Sequence, residues 1–269
     1  MANNAAEHEN QTSGYSADPT DRGTGWLNNP WVIYLGPFIV FMLLGSLEPS
    51  PPLTKGEPAA TGWFGIEYGH YPIVYSIKIL LVALAVAAVW KNYPRFRAIS
   101  PLAWLVGIGG AVAWIALAHG QRWVEEASGL APTLDGYLGG RRAGFNPLLH
   151  LADMPVAAWG FLAVRFIGLA VLVPIIEEMF LRGFIMRFPA ANEWWKVPLG
   201  KADRVGIIAA IAVPVLMHPY EAVAAIVWFG AMAWMFVRTK NVWDCVLAHA
   251  ITNLLLGIYV VTQDQWWLM

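Results

Sequence analysis

Gly168-Leu-Ala-Val-Leu-Val-Pro-Ile-Ile-Glu-Glu-Met-Phe-Leu-Arg182 sets two adjacent carboxylates, Glu177 and Glu178, inside one of the most apolar stretches of the chain. An ionised carboxylate in such surroundings costs several kcal/mol unless it is paired. A cost of that size marks a site. Further along, apolar runs carry His218, His249 and Asn253, residue types that acid–base hydrolysis or metal binding requires.

The composition around this stretch is that of a membrane protein. Of 269 residues, 58% are hydrophobic and only 13% charged, with 15 Trp, and mean hydropathy is +0.51; ordinary soluble domains lie far from these values. Apolar segments fall at Trp31–Leu47, Pro72–Trp90, Ile99–His119, Ala157–Phe188, Val205–Met217, Ala222–Val237 and Val242–Val261. Most approach the roughly 20 residues that span a bilayer, with the fifth and sixth the least regular. The expected fold is an all-α polytopic membrane helix bundle of about seven transmembrane helices. A net charge of -1 leaves no basic surface for nucleic acid. Cys245 is the single cysteine, which excludes an intramolecular disulfide and a cysteine metal cluster.

Residues 1–25, rich in Asn, Ser, Thr and acids, read as a disordered cytoplasmic tail without the pattern of a cleaved signal peptide. Residues 26–156 read as N-terminal membrane helices with two outer linkers, Glu48–Tyr71 and Gly120–Pro155, and 157–262 as a helical core. In an alternating topology Arg22, Lys91, Arg95, Arg97, Arg182, Arg187, Lys196, Lys201, Arg204, Arg238 and Lys240 share the side of the N-terminus, whereas Lys55, Arg122, Arg141 and Arg142 lie opposite. The positive-inside rule then makes the N-terminus cytoplasmic. Lys78 and Arg165 fall within spans, where snorkelling or an interhelical pair explains them as well as substrate binding does. His70, His119 and His150 read as loop or interface residues.

On a helix Glu177 and Glu178 point ~100° apart, so they take different roles. Glu178 and Arg182, at i and i+4 with the acid first, are placed to pair. Glu177 is then free to face a cavity, where desolvation makes its carboxylate a usable general base. His249 and Asn253 share one face of the last span, a donor pair suited to an oxyanion. Pro219 ends or kinks the helix at His218. Counted at ~1.5 Å per residue from the basic ends, all these groups lie ~11–20 Å deep, so they can meet.

Glu177-Glu178-x-x-x-Arg182, His218 in a following span and His249-x-x-x-Asn253 in the last resemble, in order and spacing, the three motifs of the CAAX protease and bacteriocin-processing family, also called the abortive-infection or type II CAAX prenyl endopeptidase family. The resemblance covers about the last hundred residues, and Val173-Pro174-Ile-Ile-Glu-Glu-Met-Phe-Leu-Arg-Gly183-Phe184 is similar to bacterial members, some of which accompany exosortase-type sorting systems. Where the family's second motif has Phe, four residues before the histidine, this chain has Pro214.

The resemblance implies a glutamate-type intramembrane endopeptidase. Glu177 and His218 would activate water, His249 and Asn253 would stabilise the oxyanion, and Glu178 and Arg182 would hold the first glutamate. Family members are often taken for metalloproteases, so zinc on Glu177, His218 and His249 is the alternative to a cofactor-free centre. The expected partners are the membrane and a peptide or protein substrate, lipidated or carrying a C-terminal sorting signal. A non-catalytic membrane scaffold and a proton-coupled transporter are the competing classes, the latter lacking the internal repeat such folds show.

Overall fold

The structure, a computed structural model, describes residues 25–50, 65–138 and 144–269. The tail (residues 1–24), Lys55, Trp63, Arg141 and Arg142 lie outside the described residues. Among those described the secondary structure is helical throughout. The helices are α1 (Pro30–Gly45), α2 (Tyr71–Val89), α3 (Pro101–Ala127), the short α4 (Ala131–Leu138) and α5 (Pro147–His150), α6 (Pro155–Ile167), α7 (Val173–Phe180), α8 (Arg204–Met217), α9 (Ala222–Thr239) and α10 (Val242–Gln263).

Helical stretches at Tyr68–Asn92, Pro101–Ala127, Pro155–Ala190, Pro219–Thr239 and Val242–Gln263 are long and apolar enough to cross a membrane, and α1 and α8 are shorter apolar helices. Each of the seven apolar runs is thus a helix, and the protein is an integral membrane bundle. The first run is shorter than expected, because α1 stops at Gly45.

Local chemistry sets the boundaries. Proline opens α1, α3, α5 and α6, where its missing N–H costs nothing. Asn29, Asp203 and Asn241 cap α1, α8 and α10 by accepting from Trp31, Gly206 and Trp243 backbone N–H groups. Leu43, Leu105, Ile108, Val112, Ile208 and Ile258 are exposed, as expected of helices whose outer surface meets lipid. Inside, α10 packs on α3, and α7 lies between α1 and α10.

Both cations within spans have structural partners. The Lys78 ammonium pairs with the Glu48 carboxylate and lies 4.4 Å and 4.6 Å from the ring centres of Phe41 and Tyr75. Arg165 donates to the Phe145 carbonyl at 2.8 Å. Glu48, which begins the first linker by sequence, therefore folds back onto α2. Replacing Lys78 by Met leaves that carboxylate against apolar surface; thermal unfolding in detergent is expected to show a loss of about 1–3 kcal/mol, mostly recovered in the double variant with Glu48→Gln. His119 meets the Tyr259 hydroxyl at 3.0 Å, and His150 stacks on Phe145 at 4.5 Å.

Candidate active site

The two glutamates stand on α7, which is bounded by π-turns at Gly168–Leu172 and Leu181–Ile185. Such bulges release carbonyls from the helical ladder and recur at functional sites. Here the release is readable. Val173 N–H goes to Gly168 O, and Pro174 has no N–H to give, so the Leu169 carbonyl loses its helical donors. Asn253 of α10 supplies one, with Nδ2 at 2.8 Å. One amide N–H of the expected oxyanion donor is thus spent on fastening α10 to the helix of the glutamates.

Glu178 is fully buried and bridges two partners. Its Oε2 lies 3.1 Å from Arg182 Nε, both side chains 0% exposed, as the i, i+4 spacing implies. Its Oε1 accepts from His249 Nδ1 at 2.9 Å, a contact between α7 and α10 that the sequence does not reveal. That bond places the Nδ1 proton of the ring on the Glu178 side. His249 Nε2 then faces the other carboxylate, with Glu177 Oε2 at 3.9 Å. Glu177 is the more open of the two glutamates, its side chain 12% exposed. The 3.9 Å gap is too long for a hydrogen bond and short enough for one water to touch both groups.

His218 completes the group. At the end of α8 its backbone N–H turns back to Val215 O at 3.1 Å, and Pro219 offers no N–H, so the Pro214 carbonyl is left for the His218 ring, whose Nδ1 donates to it at 2.8 Å. A carbonyl only accepts, so Nδ1 carries the proton and Nε2 presents a lone pair. The chain's departure from the family at Pro214 therefore leaves the histidine anchored through a backbone group. The Glu177 carboxylate lies within electrostatic reach of both imidazoles, His249 and His218.

Glu177, Glu178, Arg182, His218, His249 and Asn253 are thus brought to one region by α7, α8 and α10 and the turns that flank them. Among the described residues no group of three or more His, Cys, Asp or Glu side chains is placed to hold a metal ion. Cys245 is buried at 0% on α10. Sequence reasoning passed over Trp114 and Trp228, which stand against the rings of His218 and His249, and Thr252, which accepts from the Trp228 indole.

Fold and site together define an integral membrane bundle around a buried glutamate–histidine centre. Residues 159–255, which hold all three motifs, match the family model described as type II CAAX prenyl endopeptidase Rce1-like. Comparison with curated proteins and with solved structures found no match.

Proposed function

We propose that the chain is an intramembrane endopeptidase that cleaves a peptide bond near the membrane with a water activated by Glu177. The observation that carries this reading is the His249 imidazole set between two carboxylates, tied to Glu178 through Nδ1 and facing Glu177 with Nε2. Glu177 takes a proton from water as its oxygen attacks the scissile carbonyl carbon. His218 Nε2 accepts a hydrogen bond from the same water and orients it. The oxyanion is met by protonated His249 Nε2, with Glu178 stabilising the imidazolium from the far side, and by the second N–H of Asn253; donors of this kind contribute about 3–4 kcal/mol each. Glu177 returns its proton to the leaving nitrogen as the C–N bond breaks, yielding a carboxyl and an amine terminus.

The substrate on this reading is a peptide or protein segment held at the membrane, lipidated or bearing a C-terminal sorting signal, and the protein sits in a bacterial inner membrane with its N-terminus cytoplasmic. The test is cleavage. The purified full chain in liposomes, offered lipidated and unlipidated peptides, is expected to yield fragments by mass spectrometry; a folded protein that cuts none of them in its native lipids counts against the reading.

Water activation is proposed to be metal-free. Its support is the donor set: His249 Nδ1 is committed to Glu178, and among the described residues no third ligand joins Glu177 and a histidine. Turnover is therefore expected to survive millimolar phenanthroline, and loss restored by added zinc would contradict it.

A further inference from the structure

We infer that α3, which lies outside the matched segment, positions both histidines, and that Thr252 and Trp228 transmit that control to His249. Trp228, on α9, is 3% exposed and stands edge-on to the His249 ring at 4.8 Å and 74°. Its indole N–H donates to Thr252 Oγ1 at 3.1 Å, and the Thr252 hydroxyl donates to the Gly107 carbonyl of α3 at 2.8 Å. The relay runs from the α3 backbone through α10 to the indole, with both donors satisfied and buried.

The close approach of α3 depends on two glycines. A Cβ on Gly107 would lie 2.9 Å from the Ala248 carbonyl, and one on Gly110 would enter the Trp228 ring. One turn further on, Trp114 stands edge-on to Trp228 at 6.1 Å and to His218 at 5.5 Å. Phe229 closes the same wall, 6.0 Å from His218 and 4.7 Å from Trp228. The two imidazoles thus rest on one aromatic wall keyed to α3.

The wall matters because His249 has a single hydrogen-bonded nitrogen. A ring tied only at Nδ1 to Glu178 still swings its Nε2 edge. Contact with Glu177 at 3.9 Å tolerates little swing, since reacting geometry must hold to a fraction of an ångström. An apolar wall of aliphatic side chains would fill the space without fixing the angle. A tryptophan whose N–H is locked by a hydroxyl fixes it. Thr252 and Trp228 are positioning residues, and their effect on turnover rests on the peptidase reading, whereas their effect on the ring does not.

The experiment uses the full chain in lipid nanodiscs, labelled with 15N-histidine, and compares spectra at one pH. Thr252→Val keeps the side-chain shape and removes the relay; Thr252→Ser keeps the hydroxyl. In Thr252→Val the Nδ1 and Nε2 resonances of His249, assigned by their absence in His249→Gln, are expected to shift or broaden while those of His119 and His150 stay. Thr252→Ser restores them. Against a peptide found to be cleaved, kcat of Thr252→Val falls roughly tenfold with KM within about twofold of wild type. Trp228→Leu gives the same signature where it folds. Wild-type His249 resonances in Thr252→Val, whatever its melting temperature, overturn the inference. If no form cleaves any peptide, the resonances still decide the positioning, so that failure stays separate from failure of the peptidase reading.

Discussion

Glu177→Gln is expected to lower the cleavage rate about a thousandfold, in the middle of the range for loss of a general base, while the protein inserts and melts as wild type. The amide has the same shape and cannot accept the proton that an attacking water must lose. Fold stability is spared because the two glutamates divide their work: Glu178 is wholly buried between Arg182 and His249, whereas Glu177 has a side chain 12% exposed and, among the described residues, no hydrogen bond or ion pair closer than the 3.9 Å approach to His249. Removing a charge so lightly held from an apolar helix relieves as much desolvation as it forfeits attraction. The measurement is initial rate against one defined peptide in liposomes, with unfolding followed by intrinsic Trp fluorescence. Turnover within tenfold of wild type would remove Glu177 from the mechanism.

The bundle was legible in the sequence because lipid imposes a one-dimensional signal: apolar runs of limited length broken by proline and charge. The same was true of contacts along one helix. Glu178 and Arg182 at i, i+4 pair as their spacing implies, and Pro219 ends α8 at His218. Contacts between helices were not legible. Nothing in the chain before folding says that Glu178, besides meeting Arg182, holds His249 71 residues away. Lys78 with Glu48 is the same case, hidden because a residue that begins a linker by composition folds back onto α2. One missed contact did leave a trace. Pro174, five residues after Leu169, removes an N–H at the bulge, and the orphaned carbonyl calls for a donor such as Asn253. The aromatic wall left none, since Trp114, Trp228 and Gly110 look like ordinary residues of a greasy span until α3 and α9 are packed together.

Arg182 gives the largest expected loss of stability. Both it and Glu178 are 0% exposed, 3.1 Å apart, and the Arg182 Nη1 and Nη2 atoms have no hydrogen-bond acceptor among the described residues. Arg182 Nε and Glu178 Oε2 likewise form no hydrogen bond among the described residues, so the guanidinium is compensated chiefly by the charge of that one carboxylate at 3.1 Å. Arg182→Met leaves Glu178 charged in the interior with only His249 to meet it, and Glu178→Leu leaves the guanidinium alone; each is expected to cost about 3–5 kcal/mol, the range for breaking a buried pair from one side. The double variant Glu178→Leu with Arg182→Met removes both charges and fills the space with apolar atoms. It is expected to return to within about 1–2 kcal/mol of wild type, giving a large favourable coupling in the double-mutant cycle. Activity is expected to behave differently. Without Glu178, His249 Nδ1 has no carboxylate to hold its edge or to stabilise the imidazolium, so the restored fold remains nearly inactive. A double variant as unstable as the singles would mean that the pair is not the energetic unit, and one that regains turnover would show that His249 keeps its orientation without Glu178.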